Sequence, residues 1–255
     1  MKKVIVIGAG PAGLMAAETL LKGGFQVDIY DAMPSAGRKF LVAGKGGLNL
    51  THAEPYEKFI TRYGQSAPFL KPYLDQFPPS ALRDWAQELG FETFVGSSGK
   101  VFPVGMGAAP MLRAWLARLS EQGTIFHFRH RWLGWDEKNA LRFDTADGEI
   151  LAESDGVILA LGGGSRPKTG SNAAWIPFLE ERGIKIAPLK ASNCGFDIQW
   201  TDFLKKRFAG HPIKSLRLSF GGISKRGEFI ITKTGVEGSL IYPFSAALRD
   251  EIESS

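Results

Sequence analysis

The chain has 255 residues, 44% of them hydrophobic and 22% charged, a balance that fits a folded α/β protein of one large domain or one domain with an insertion. No apolar run approaches the roughly 20 residues needed to span a bilayer, and a single cysteine, Cys194, excludes an intrachain disulfide and a dithiol redox motif, so a cytoplasmic setting and no membrane partner are expected. The net charge of +5 comes from scattered basic residues and suits anionic cofactors or substrates; nucleic acid is not an expected partner.

Residues 4–7 are a short apolar strand that runs into Gly8-x-Gly10-x-x-Gly13, followed by a helical stretch and a second apolar strand ending on Asp31. This βαβ context gives the glycine pattern its meaning. Gly8 permits the tight turn, Gly10 lets backbone approach a pyrophosphate, and Gly13 lets the helix pack closely on the strand. The helix N-terminus, with Pro11 and Ala12 in its first turn, offers N–H groups and a positive dipole end to phosphates, and Asp31 is placed to accept a ribose diol. An adenine dinucleotide is the expected ligand.

Residues 35–52, SAGRKFLVAGKGGLNLTH, have neither helical nor strand periodicity. A connection of this length inside a compact domain is usually functional. Arg38, Lys39 and Lys45 supply cations, Gly44, Gly46 and Gly47 allow close backbone approach, and Asn49 and Thr51 add hydrogen-bonding groups. The segment therefore reads as a second wall around a phosphate or a flavin-like ring.

Residues 56–76 and 79–89 predict helices, and residues 91–94 and 100–104 predict strands around a Gly-Ser-Ser-Gly turn. Pro110 opens a helix to Leu119 whose aromatic and aliphatic positions read as core. Strands at 124–129, 131–135, 141–145 and 149–152 predict a small antiparallel meander. The run Val157 to Leu161 reads as a central parallel strand buried on both faces, with Gly162, Gly163 and Gly164 at the end where open α/β sheets place ligands. A polar stretch, 165–172, and a helix at 173–182 follow. From residue 184 short strand-like pieces (184–187, 195–199, 215–220, 228–232, 239–242) predict a β-rich second domain over 188–255, against a first domain of 1–187. Lys205, Lys206 and Arg207 read as a solvated helix face. His52, His127, His130 and His211 have no metal-ligand spacing, and no catalytic residue is assigned.

The segments GAGPAGLMAA (8–17), GRKFLVAGKGGLNLTH (37–52), DGVILALGGGSRPKTGS (155–171), ASNCGF (191–196) and GEFIITKTGVEGSLIY (227–242) together resemble the HI0933-like, or BaiN-like, family of bacterial flavoproteins, within the two-dinucleotide-binding-domain superfamily. The resemblance implies a Rossmann-like FAD-binding domain with a parallel central sheet, a small antiparallel meander and part of a β-rich inserted domain. It implies non-covalent FAD and an oxidoreductase that passes hydride or electrons between a small molecule and flavin, with NAD(P)H as a possible donor. On this likeness Gly8, Gly10, Pro11, Ala12 and Gly13 lie along the pyrophosphate, Asp31 takes the adenosine ribose, and Arg38 and Lys39 flank the phosphates. Gly44 to Asn49 approach the flavin, Trp132 meets adenine through its backbone, and Ala160, Gly162 and Gly163 stand for the family's Ala-Thr-Gly element, with Leu161 in place of Thr. Gly-Gly-Leu-Asn at 46–49 replaces a Gly-Arg-Cys-Asn common among relatives, so chemistry through that cysteine is not expected. The family's later Gly-Asp strand has no counterpart here, which reads as a truncated chain with an incomplete flavin pocket. An NAD(P)-dependent dehydrogenase and a non-catalytic fragment are the alternatives.

Overall fold

The computed structural model describes residues 1–254, grouped into two units, Met1–Ile186 and Ala187–Ser255. In the first unit β1 (Lys3–Ile7), α1 (Pro11–Lys22) and β2 (Gln26–Asp31) form the predicted βαβ unit. Then come α2 (Arg38–Ala43), β3 (Thr51–His52), α3 (Tyr56–Thr61), α4 (Ala67–Gln76) and α5 (Pro79–Glu88), and next β4 (Thr93–Val95), β5 (Lys100–Pro103) and α6 (Ala108–Glu121). The unit closes with β6 (Ile125–Phe128), β7 (Arg131–Trp135), β8 (Leu141–Thr145), β9 (Gly148–Ala152), β10 (Gly156–Leu159) and α7 (Ile176–Glu180).

The central sheet is parallel, in the order β10-β1-β2-β6. Alternation along β1 divides its side chains between two layers. Val6 packs with Leu14 of α1 and Met111, Trp115 and Leu119 of α6, whereas Ile5 and Ile7 pack with Trp132, Leu141 and Phe143 of the β7-β8-β9 meander. The result is helix, parallel sheet and antiparallel sheet in three layers. Glu18 sits inside the helical layer, 1% exposed, and accepts hydrogen bonds from Trp85 Nε1 (3.1 Å), Trp115 Nε1 (2.9 Å) and Arg118 (3.1 Å), so one carboxylate ties α1 to α5 and α6.

Several expectations change. Residues 124–129 do not join the meander: β6 pairs in parallel with β2 and extends the central sheet. Strand β10 is not central but at the sheet edge, with Ile158 39% and Leu159 38% exposed, because within the described residues it has β1 as its only neighbour. The long segment 35–52 contains α2, since Gly37 (φ 63°) starts a helical turn that seats against Leu112 of α6. Residues 56–76 are two helices rather than one, parted by a tight turn at Gly64–Ser66 where Gly64 has φ 53°. The predicted helix at 173–182 shrinks to α7.

In the second unit β11 (Phe196–Asp197), α8 (Asp202–Phe208), β12 (Pro212–Phe220), β13 (Ile223–Ile231), β14 (Gly235–Glu237) and α9 (Ser245–Ser254) follow in order. Its sheet is antiparallel, β11-β14-β13-β12, over a small core that includes Ile231, Val236, Leu240 and Phe244. The piece predicted at 184–187 forms no strand. That predicted at 239–242 lies in a tight turn instead, and β14 takes its place in the sheet.

Candidate dinucleotide site

Where β1 passes into α1, the three fingerprint glycines do different work. Gly8 has φ 112°, and a Cβ there would lie closer than 3.0 Å to the carbonyl oxygen of Ala160, just past β10. A Cβ on Gly13 would meet the carbonyl oxygen of Gly8 closer still. Both are therefore demanded by the packing of the fold itself. Gly10 is different: φ −82° and ψ 178° suit any residue, and nothing lies within 4 Å of where its Cβ would be. The fold gives no reason for glycine at position 10, and its open side faces a cavity. Gly10 also precedes a 12-residue helix with Pro11 at its start, no side-chain cap and no acid in its first turn. The free N–H groups and positive dipole end of α1 are left for an anionic ligand.

That cavity, of about 540 Å³, brings together Gly8, Gly10, Pro11, Ala12, Asp31, Arg38 and Lys39 with Trp132, Ala160, Gly162 and Gly163. Gly13 sits behind it as packing. Gly44 and Asn49 lie outside it: Gly44 packs against Ala108 of α6 and Leu48, while Asn49 Nδ2 donates to the Thr51 (2.8 Å) and Val101 (3.2 Å) carbonyls and pins the loop to β5.

Asp31 is held tightly before any ligand arrives. Its Oδ2 accepts the Ala9 N–H at 2.6 Å and its Oδ1 the Met33 N–H at 2.7 Å. Burial pushes its pKa above the ordinary carboxylate value, opposed by those two backbone N–H groups and by Arg38. Each oxygen keeps a further lone-pair direction, so a diol can still be accepted. Two donors nearby are unsatisfied among the described residues: Arg38 Nε and the indole N–H of Trp132, which is only 6% exposed. Buried donors without acceptors are costly, and a ligand with acceptor atoms would relieve that cost.

The sequence reading missed part of the wall. Lys39 does not stand free: its Nζ donates to Ser165 Oγ (2.6 Å) and Ser171 Oγ (3.3 Å), tying α2 to the polar stretch after β10. Trp175 Nε1 donates to the Gly162 carbonyl (3.1 Å), and Gly170 (φ 90°) packs so closely on Met33 that a Cβ would sit 2.9 Å from its Cγ. Together these bring 165–175 over the cavity as a lid-like wall. The polarity of SRPKTGSN, just beyond the carboxyl end of a strand, was the available signal. On the other side, Tyr30 lies between His127 (4.2 Å) and Phe143 (4.3 Å) in an aromatic stack, with Tyr30 and His130 lining the cavity. The geometry offers a phosphate-accepting helix end, a carboxylate for a diol, and apolar and aromatic walls for a base.

A family model described as the HI0933-like protein Rossmann domain matches residues 2–241. The chain is 26% identical over 246 residues to a protein of Haemophilus influenzae named ribosomal RNA dihydrouridine synthase, covering 94% of this chain and 60% of that protein. It is 23% identical to an Escherichia coli protein of the same name, covering 95% and 60% respectively. The chain thus spans about three fifths of the length of these curated relatives. Among solved structures, a 3-ketosteroid dehydrogenase from Rhodococcus jostii is similar over 64% of this chain and 46% of its own, at 14% identity and a TM-score of 0.44.

Proposed function

We propose, from the premise that this chain belongs to the HI0933-like family, that its first unit holds FAD and that the protein is a flavin-dependent oxidoreductase. The observation that carries the reading is Gly10: a glycine that neither backbone nor packing requires, open toward a cavity at an uncapped helix N-terminus. The α1 N–H groups and Arg38 would face the pyrophosphate, Asp31 the adenosine ribose, and the wall from Tyr30 to Trp132 the adenine. Bound FAD would supply two-electron redox chemistry, with a nicotinamide nucleotide as electron donor and a small molecule as the group oxidised or reduced. The protein's part is to bind, orient and exclude water. The single cysteine accords with a cytoplasmic setting.

Absorption spectroscopy tests this directly. Purified protein, or protein incubated with FAD and desalted, should carry the two visible bands of oxidised flavin. A folded, colourless protein that cannot be reconstituted with FAD but binds NAD would replace this reading with the nicotinamide one.

The names of the two relatives favour a second reading of the substrate: a pyrimidine base in ribosomal RNA. Saturating the uracil C5–C6 double bond needs one hydride and one proton; bound FAD in its reduced form would supply the hydride, with the proton taken from solvent. The positive net charge is compatible with such a polyanion.

A further inference from the structure

The second unit carries an arrangement that the dinucleotide site does not use. Strands β12 and β13, nine residues each, form a hairpin closed by Gly221 (φ 55°) and Gly222 (φ 76°), a two-residue turn with positive φ at both positions that fixes the register. In that register Arg217 lies directly opposite Arg226, and Ser219 opposite Ser224, whose hydroxyls are hydrogen-bonded at 2.9 Å. Strand alternation puts these four side chains on one face, while Leu216, Leu218, Phe220 and Phe229 occupy the other, half-buried.

Like charges directly opposite one another weaken a sheet. Neither arginine is offset by a carboxylate: among the described residues neither forms an ion pair, and Glu228, two positions further along β13, pairs with neither. Phosphates held one at each guanidinium would turn that repulsion into binding, with each planar fork able to donate two hydrogen bonds to phosphate oxygens.

We infer that the Arg217–Arg226 face of the β12–β13 hairpin is a phosphate-binding surface for single-stranded RNA; the inference rests on the RNA reading above. An extended polyanion fits better than a mononucleotide because the surface is an open hairpin rather than a pocket and its charge continues along the chain. Lys214 is exposed on β12 beside the register irregularity between Ile213 and Leu216, whereas Lys225, paired with Leu218, belongs to the opposite face; α8, just ahead of β12 in the chain, carries Lys205 and Lys206. Phe203 of α8 is 61% exposed with the Arg207 guanidinium 5.7 Å from its ring, the pairing on which unstacked bases settle.

The test uses the full chain and a short fluorescent single-stranded RNA, with anisotropy followed across a potassium chloride series. Arg217→Gln/Arg226→Gln should bind about tenfold more weakly, and the plot of log affinity against log salt should become shallower by about 1.4, roughly 0.7 for each phosphate no longer neutralised. Lys138→Gln, an exposed cation of the first unit, should change neither. Thermal unfolding should show the double variant no less stable than the parent, since a like-charge pair has gone, and its FAD titration should match the parent's. The single variant Arg226→Gln, read the same way, should give half the change in slope. If the parent binds RNA and the double variant binds it with the same affinity and salt slope, the arginine assignment is overturned while the RNA reading stands. If the parent takes up FAD but fails to bind RNA at low salt, both fall and only the flavin reading remains.

Discussion

Substituting Gly10 with alanine separates the needs of the fold from the needs of the ligand. At φ −82° and ψ 178° alanine is unstrained, and its methyl meets no atom within 4 Å. Replacing glycine at a compatible position stabilises by about 0.4–1 kcal/mol, because the unfolded chain loses freedom, but Gly10 is also the N-cap of α1, where alanine is poorer than glycine by about the same amount. The two effects oppose each other, so for a domain of this size the ligand-free thermal midpoint should shift by no more than roughly 1–4 °C in either direction. The same methyl would stand where a pyrophosphate must approach the α1 N–H groups. Losing one charge-assisted hydrogen bond costs about 1.5–3 kcal/mol, a weakening of roughly 10- to 150-fold in the dissociation constant. Differential scanning fluorimetry without ligand, together with titration of the apoprotein by FAD and by ADP, reads both quantities. ADP is the sharper probe because it carries the pyrophosphate without the flavin. A Gly10→Ala protein that binds ADP as tightly as the parent would falsify the assignment of this turn as the phosphate site. One that unfolds early would show that Gly10 has a packing role the open space around it does not reveal.

The neighbouring glycines should behave in the opposite way. Gly13→Ala puts a methyl into the Gly8 carbonyl, and Gly8→Ala combines a clash at Ala160 with φ 112°; each should cost about 3 kcal/mol or more and lower the melting temperature of ligand-free protein. Intact stability in either variant would contradict the close packing of α1 on β1. Glu18 sets an acid limit. Desolvation alone would raise its pKa, but hydrogen bonds from Trp85 and Lys22 and the charge of Arg118 leave it below the ordinary value. A carboxyl depressed in the folded state contributes stability that is complete above its unfolded pKa and lost as pH falls through its folded one. Urea unfolding should therefore show the parent weakening below about pH 4.5. Glu18→Gln should start less stable at neutral pH and show a smaller loss over the same range; equal slopes for the two would refute this account.

What could be read from the chain, and what could not, follows from how far each interaction reaches. The βαβ unit was legible because its determinants are local: an apolar strand, glycines at fixed spacing, and an acid at the end of the next strand. The placement of β6 was not, since Ile125–Phe128 has the same apolar character beside β2 as it would have in a meander, and the packing of Phe126 and Phe128 against the helical layer is a tertiary contact that the sequence does not display. The same limit applies to Val157 to Leu161, where an apolar run promised burial on both faces yet β10 has a neighbour on one side only among the described residues. Burial needs a partner strand, which composition cannot supply.

Glycines show the problem most sharply. Gly8, Gly10, Gly13, Gly37 and Gly44 look alike in the sequence, and all five invite a ligand-based explanation. Spatially, Gly8 and Gly13 make room for backbone, Gly37 and Gly44 for Leu112 and Ala108 of α6, and Gly10 alone of the five faces open space. Part of the loop at 37–52 is thus accounted for by its seat on α6. Within the cavity, the burden of holding a dinucleotide shifts to Gly10, Asp31, Arg38 and the wall at 165–175. Lys39 shares in that shift by bracing the wall through Ser165 and Ser171, which makes its removal a test of how the wall is held as much as of charge. A glycine points to a ligand only after packing has been shown not to need it; Gly10 meets that condition at the N-terminus of α1, and Gly163, open in the same way and lining the same cavity, meets it just beyond β10.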